Sequence, residues 1–167
     1  FLVSQTNIVF VTSTAYRTFE LGGLAGADAK CNSLAAAAGL PGQYRAWLSD
    51  STISARNRLF QSPFPYVLSD GTTIVAKNWV DLTKGGLAHA INRDESGNEV
   101  TAVVWTGTDA GGNSAGGGFW CGNWGLDAAE DGSTALVGDT SQVDGRWSNS
   151  GSQNCGFTAH LYCVQQQ

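Results

Sequence analysis

The sequence predicts a single α+β domain in which helices come early and the strands of an antiparallel sheet come late. Apolar residues recur with helical spacing between residues 24 and 38, whereas short segments rich in β-formers dominate the chain after residue 63. The 167 residues show neither an internal repeat nor a linker, so one domain is expected to span 1–167. The four cysteines include no C-x-x-C pair and predict two disulfide bonds in an oxidising compartment.

Four elements are predicted in the first part of the chain. Residues 7–12 are mostly β-branched or aromatic and predict a strand. In the segment 24–38 the apolar residues recur at steps of three and four, which predicts a helix that ends at Gly39. Residues 44–48 predict a second strand, and residues 54–60 predict a short helix that begins at its N-capping serine.

Three further elements are predicted in the rest of the chain. An Asp-Gly pair joins residues 66–68 to residues 72–75 as a β-hairpin. Residues 100–106 carry β-branched side chains on both faces of a predicted strand, which indicates a buried position. The alternating segment 155–163 is expected to close the domain as its last strand.

The stretch 107–154 is rich in glycine and acidic residues and is predicted to be rich in loops. Loops of this length within a compact domain are most often functional. Its tryptophans either stack on sugars or anchor a protein partner, or they cover a disulfide and fill a small core. The predicted ligand-binding residues are Asp109, Asn113, Trp120, Asn123, Trp124 and Trp147.

The charge distribution excludes several classes of partner. The net charge is −5, the sequence pI is about 4.7, and the nine Lys and Arg residues are scattered along the chain. Nucleic acids, heparin-like polyanions and anionic membrane surfaces require a basic stripe, which this sequence lacks. No window approaches the roughly 18 apolar residues of a membrane helix, so no transmembrane segment is predicted.

Acidic residues in two loops are candidate ligands for calcium, a cofactor that the sequence allows but does not require. Ca²⁺ prefers carboxylate and carbonyl oxygens in loops, although solvated turns use the same residues and neither loop matches an EF-hand. The candidate ligands are Asp94, Glu95, Asp127, Glu130 and Asp131. A zinc site is not predicted, because His89 and His160 lie far from any closely spaced cysteine pair.

The segment Gly112–Gly116 matches the G-x-S-x-G motif of serine hydrolases, with Ser114 at the nucleophile position. That motif works at a sharp strand-to-helix turn, but two more glycines follow it here. His160 is expected to be a structural residue of the last strand and His89 a loop residue, so neither is predicted to act as a base. The sequence therefore predicts a protein that is not an enzyme, and a hydrolase is the less favoured alternative.

Several segments, in the same order along nearly the whole chain, resemble endostatin. The matching segments are 26–31, 38–49, 104–109 with the following Cys121 and Trp124, and the ending 155–163. Residues 21–28 and 47–50 are more similar to a bacterial group, the leptospiral endostatin-like surface proteins. The spacing of the last two cysteines also resembles that of endostatin's last strand.

The resemblance implies a C-type-lectin-like, endostatin-like fold, in which two helices pack on a twisted antiparallel sheet with long loops. It implies two nested disulfides, Cys31–Cys163 and Cys121–Cys155. The similar bacterial proteins are surface adhesins that bind matrix proteins and complement regulators. The Glu-Pro-Asn, Gln-Pro-Asp and Trp-Asn-Asp motifs of sugar-binding C-type lectins are absent from this sequence.

We therefore expect a secreted or cell-surface bacterial module that binds an extracellular protein through its long loops. It is expected to be a monomeric domain of a larger or lipid-anchored protein. The first alternative is a carbohydrate-binding, lectin-like module, with or without calcium.

Overall fold

The structure, a computed structural model, describes residues 5–125 and 133–167 and shows a mixed α+β fold. The strands are Asn7–Val11 (β1), Gln43–Ala46 (β2), Tyr66–Val67 (β3), Ile74–Ala76 (β4), Val103–Trp105 (β5), Thr134–Asp139 (β6), Gly151–Asn154 (β7) and Tyr162–Gln166 (β8). The helices are Thr18–Leu21 (α1), Gly23–Ala37 (α2), Ala55–Arg58 (α3), Trp79–Leu82 (α4) and Cys121–Trp124 (α5), with a 3-10 turn at Gly145–Trp147.

The larger sheet has five strands in the order β2-β8-β1-β3-β4. The strand β8 pairs antiparallel with both β1 and β2, whereas β1 and β3 run parallel. The prediction of an antiparallel sheet is therefore wrong for the β1–β3 pair. Between these two strands the chain forms α1, α2, β2 and α3, and so long a connection lets β3 start at the same end of the sheet as β1.

A second sheet contains three antiparallel strands in the order β5-β6-β7. Both β6 and β7 lie inside the stretch 107–154, which is predicted to be rich in loops, and neither strand was predicted. In β6 the buried Ala135 and Val137 alternate with half-buried residues, but the glycine and acidic residues nearby hide this pattern in the sequence. The sheets are joined where the backbone of His160 bonds to both end residues of β5.

The helix α2 lies where the apolar spacing predicts it, at Gly23–Ala37 against the predicted 24–38. Its apolar steps place Ala27, Cys31 and Ala35 in the buried interior. Within the described chain the other helices are single turns. The sheet therefore packs against one long helix, where the resemblance implies two.

The last strand is shifted towards the end of the chain from its predicted position, because β8 is Tyr162–Gln166 and the prediction was 155–163. Before β8, the chain makes a turn and then an isolated pairing in which Ala159 and Tyr16 exchange backbone hydrogen bonds. The alternating residue pattern of the segment 155–163 therefore reflects the pairing of Ala159 with Tyr16, close to α1, and not one continuous strand.

Side chains of α2 cover the outer edge of β2. Asp28 Oδ1 accepts a hydrogen bond from Ala46 N at 2.8 Å. The Asn32 amide accepts from Tyr44 N at 2.7 Å and donates to the Tyr44 carbonyl at 3.0 Å. An edge strand whose backbone groups are satisfied in this way is not available to pair with another chain.

Two disulfides close the fold in a nested arrangement, which is the pairing that the resemblance implies. Cys31–Cys163 joins the middle of α2 to β8, and Cys121–Cys155 joins α5 to the end of β7. All four residues are at most 1% exposed. Paired cysteines of this kind are typical of an oxidising, extracellular compartment.

The buried side chains form two clusters. One lies under α2, and the other contains a stack of aromatic rings. In that stack Trp47 lies 4.9 Å from Trp147 and 5.8 Å from Trp79, and Trp147 lies 5.6 Å from Tyr162, measured between ring centroids. Burial raises the pKa of the Tyr162 phenol well above its usual value, so this core contains no ionised tyrosine at physiological pH.

Candidate functional site

Three segments of the described chain are hydrogen-bonded to one another and form a surface that we call the loop face. They are residues 49–53, 107–114 and 119–125. The first segment follows β2, the second follows β5, and the third contains α5. Because β2 and β5 belong to different sheets, the loop face is fixed by both halves of the fold.

Side chains on the loop face tie the three segments together. The Asn123 amide accepts a hydrogen bond from Ser51 N at 3.0 Å and donates one to Ser51 Oγ at 2.8 Å. Ser114 Oγ donates to the Asp50 carbonyl at 3.3 Å and accepts from the Trp120 indole at 3.1 Å. Each segment is thus held by at least one side chain of another.

Four buried hydroxyl groups form a network beneath the loop face. Ser49 Oγ lies 2.8 Å from Thr108 Oγ1, and Thr106 Oγ1 donates to the Ser148 carbonyl at 2.6 Å. Ser148 Oγ donates to the Thr108 carbonyl at 2.7 Å and accepts from the Trp47 indole at 2.8 Å. Because all four hydroxyl residues are 0% exposed, these bonds fix the loops in one arrangement.

The helix α5 is a single left-handed turn. Its four residues have positive φ, with 49° at Cys121, 59° at Gly122, 56° at Asn123 and 64° at Trp124. The Trp124 N–H closes the turn by donating to the Trp120 carbonyl at 2.8 Å. Left-handed helical geometry costs an L-residue about 1–2 kcal/mol, so the three non-glycine residues of this turn store strain.

Tertiary contacts on both sides hold this turn in place. The Cys121–Cys155 bond anchors its first residue to β7. At its other end the Trp124 indole donates to the Ser49 carbonyl at 2.8 Å. Between these anchors, Asn123 bonds to the neighbouring loop segment. Strained backbone persists only when the surrounding structure over-determines it, and it concentrates at ligand clamps and other functional sites.

The structure separates the predicted tryptophans by burial. Trp124 is 0% exposed and Trp147 is 1% exposed, so neither ring reaches the surface, and the core-filling alternative describes both. The Trp124 ring packs at 6.2 Å from Trp105. Trp120 is half-buried, so it is the tryptophan of this group with ring surface on the loop face.

The segment around Asp109 forms a closed loop. The Asp109 carboxylate accepts hydrogen bonds from Gly111 N at 2.8 Å and from Asn113 N at 2.9 Å, and the Asn113 amide lies 3.2 Å from it. From the other side, Arg56 N donates to the Gly112 carbonyl at 2.8 Å, and its Nη1 donates to Gly111. Asp109 therefore shapes the loop, and Asn113 remains exposed at its tip.

Asp50 shapes the neighbouring loop in a similar way. Its Oδ1 accepts hydrogen bonds from Thr52 N and Oγ1, both at 2.8 Å, and from Ile53 N at 3.0 Å. Burial alone would raise the pKa of Asp50, but these bonds and the positive charge of Arg58 outweigh burial and hold it below its usual value. The carboxylate is thus ionised and turned towards its own loop.

The exposed side chains of the loop face are mostly uncharged. Ile53 and Phe119 are 36% and 39% exposed, and Ser51, Thr52 and Asn123 are also exposed. Neither Ile53 nor Phe119 was predicted as a site residue, because an isolated apolar residue in a loop gives no periodic signal. Only the bonds between segments show that they share a surface.

Two of the acidic residues predicted as calcium ligands, Asp94 and Glu95, lie in the described chain, where their carboxylates accept hydrogen bonds from neighbouring groups. Asp94 Oδ1 accepts hydrogen bonds from Ser96 N and Asn98 N, both at 2.9 Å, and the Glu95 carboxylate bonds to Ser13. Both carboxylates are almost fully buried in these loop contacts. The described residues contain no group of three His, Cys, Asp or Glu side chains placed to hold a metal ion. Asp127, Glu130 and Asp131 lie outside the described residues.

The residues of the G-x-S-x-G match lie in a loop, and no helix begins directly after Ser114. The hydrogen bonds of Ser114 go to a backbone carbonyl and an indole, as described above. The two histidine rings bond elsewhere, His160 Nδ1 to the Thr12 carbonyl at 2.6 Å and His89 Nδ1 to the Ala90 carbonyl at 2.7 Å. Ser114 thus has a structural role in holding the loop face.

Comparison with known proteins yields no relative: neither a scan of protein-family models nor a search of curated proteins gives a match. Within residues 5–125 and 133–167, no helix is long and apolar enough to cross a membrane. Function is therefore inferred from the geometry of the loop face and from the resemblance of the sequence segments.

Proposed function

We propose that the chain is an extracellular, non-catalytic binding module of C-type-lectin-like, endostatin-like fold that recognises a protein partner through the loop face. The observation that carries this proposal is the strained left-handed turn α5, fixed by a disulfide and by side-chain bonds to the loop segment 49–53. A rigid surface of this kind binds without first losing the entropy of mobile loops.

The composition of the loop face favours a protein as the partner. Ile53, Phe119 and the accessible part of Trp120 supply apolar contact area, and Ser51 and Asn113 supply hydrogen-bonding groups around it. Apolar and aromatic residues with few charges are typical of the centre of a protein–protein interface. The carboxylates of Asp50 and Asp109 accept hydrogen bonds within their own loops.

A carbohydrate-binding module is the second candidate, because Trp120 and two exposed amides lie on one surface. The amides of Asn113 and Asn123 already bond to Asp109 and Ser51, which leaves them fewer free groups for sugar hydroxyls. The protein partner is therefore the better supported of the two.

Capture of matrix and plasma proteins by the immobilised domain, run beside a glycan array with and without chelator, tests the proposal. A captured protein should lose about tenfold or more in affinity for Ile53→Asp/Phe119→Ser. The matched control is Val143→Asp/Phe157→Ser, which alters exposed residues outside the loop face. Strong chelator-sensitive sugar binding, or capture that survives the loop-face substitutions, would overturn the proposal.

A serine-directed fluorophosphonate probe tests the absence of catalysis separately. We expect no labelling of the native domain, because among the described residues the Ser114 hydroxyl bonds to a backbone carbonyl and an indole and not to a base. Labelling that disappears in Ser114→Ala, while the variant keeps the unfolding temperature of the parent, would identify a hydrolase instead.

A further inference from the structure

Three clefts adjoin one another along β4 and α4, on residues that the loop face does not use. Their volumes are about 440, 310 and 400 Å³. Consecutive residues line the first two, Phe64 and Pro65 the first and Pro63 the second, and the second and third share Asn78 and Val80. We call the three together the groove.

The groove exposes apolar side chains along its length. Val80 is 76% exposed, more than any other large hydrophobic residue of the described chain, and Ile74 is 47% exposed. Ile74 belongs to β4, the edge strand of the larger sheet. Half-buried Phe64 and Pro65 line the first cleft beside it. Contiguous apolar exposure of this kind marks interaction surfaces more often than single exposed residues do.

One end of the groove carries an excess of positive charge, although the whole chain has a net charge of −5. Two cations, Lys77 and Lys84, line the third cleft together with one carboxylate, Asp81. Lys84 pairs with Asp81 at 2.5 Å, and Lys77 forms no salt bridge with any described carboxylate.

We infer that the groove is a second binding surface, which docks an acidic, apolar segment of a partner protein. Apolar side chains of such a segment would cover Ile74 and Val80, while its carboxylates would meet Lys77 and Lys84. Charge complementarity favours this occupant, because Lys77 and Lys84 outnumber Asp81 in the third cleft of a chain whose net charge is −5. A nucleic acid or sulfated glycan would find only two lysines and would leave the apolar walls uncovered.

Selection of a displayed library of random linear peptides on the folded domain tests this inference. We expect the selected peptides to combine Asp or Glu with Leu, Ile or Phe. Their affinity should fall about tenfold or more in Lys77→Glu/Lys84→Glu and in Val80→Asp, and it should weaken as salt is raised. All three substituted side chains are exposed, so the variants should keep the parent's unfolding temperature.

Two control variants distinguish an effect of the groove residues on peptide affinity from an effect of net charge or surface substitution elsewhere. Arg93→Glu/Arg146→Glu makes the same change in net charge outside the groove, and Val143→Asp places a carboxylate on another exposed valine; neither should alter peptide affinity. Selected peptides that are basic or neutral, peptides that bind the groove variants as well as the parent, or a selection that yields no binder would each overturn the inference. Binding of a heparin fragment that depends on Lys77 and Lys84, without peptide binding, would overturn it too.

Discussion

At the scale of single residues, Arg58 connects parts of the chain that are distant in sequence. Its Nη2 bonds to Asp28 Oδ2 at 2.5 Å, and its Nη1 donates to the Ala46 carbonyl at 2.6 Å. The Arg58 side chain is 6% exposed and that of Asp28 is 21% exposed. The pair therefore joins α2, β2 and α3 in a setting where water screens the charges only in part.

Replacement of this arginine by an apolar residue should destabilise the fold. We expect Arg58→Met to lower the free energy of unfolding by about 2 kcal/mol, because it leaves the Asp28 carboxylate without its partner and frees the Ala46 carbonyl. Urea titration followed by circular dichroism measures the change. Arg146→Met, which removes a fully exposed pair with Asp144, is the control and should behave like the parent.

Asn123 combines a strained backbone with useful side-chain bonds, and two substitutions separate these effects. Asn123→Ala should destabilise by about 1–2 kcal/mol, since it loses the bonds to Ser51 and keeps a Cβ at positive φ without the side-chain bonds that compensate for it. Asn123→Gly loses the same bonds but accepts positive φ freely, so it should be less destabilised. A larger loss of unfolding free energy for Asn123→Gly than for Asn123→Ala in urea titrations would contradict a strained turn.

At the scale of elements, close contacts between backbone segments determine where some strands lie, and local composition does not reveal these contacts. A Cβ added to Gly138 in β6 would lie 2.0 Å from the Trp147 carbonyl oxygen, so β6 and the 3-10 turn pack together only because this residue lacks a side chain. The same sequence feature, a glycine in an acidic stretch, is what made β6 difficult to predict. Local composition indicated a turn, and long-range packing produced a strand.

Substitution at this contact should have a large effect on stability. Gly138→Ala should lower the free energy of unfolding by about 3 kcal/mol, because the methyl group must displace backbone and not a flexible side chain. At Gly86 the nearest atom to an added Cβ is 3.8 Å away and φ is not positive, so Gly86→Ala is the matched control. Equal stability of the two variants in thermal unfolding would refute the close approach.

The β3–β4 hairpin depends on an ionised turn residue. Hydrogen bonds from the side chain and backbone of Thr73 and from Thr72 N lower the pKa of Asp70 to about 2. Because this pKa lies below the unfolded value of about 3.9, the charge stabilises the fold above about pH 4, and this contribution is lost as pH falls through about 2. The stability difference between the parent and Asp70→Asn should therefore narrow over that interval. If the stability difference between the parent and Asp70→Asn does not change with pH, the charge of Asp70 does not contribute to stability.

At the scale of the whole molecule, the two disulfides have different roles. Cys31–Cys163 closes a separation of 132 residues and joins the long helix to the last strand, whereas Cys121–Cys155 closes 34 residues and fixes α5. The chain-entropy model assigns them about 5 and about 4 kcal/mol respectively. The first therefore mainly maintains the fold, and the second also maintains the shape of the loop face.

Removal of each pair should show this difference. We expect Cys121→Ala/Cys155→Ala to keep the far-ultraviolet circular dichroism of the parent but to lose loop-face binding, because α5 loses its anchor. Peptide binding in the groove should be unaffected by the same change. Cys31→Ala/Cys163→Ala should lower the unfolding temperature more. If the variant without Cys121–Cys155 keeps full loop-face binding, that binding does not depend on the strained turn.

The sequence by itself determined the α+β class, the position of α2 and the approximate positions of β1 and β2, because each depends on local periodicity or local β-propensity. It also indicated the number of disulfides, since four cysteines without a metal pattern are sufficient for that. Only the tertiary structure decided that Trp124 and Trp147 are buried, that β6 and β7 are strands, and that three distant loops form one face. These features depend on contacts between residues far apart in the chain, and local patterns of apolar, polar and glycine residues carry no information about which distant segments will meet.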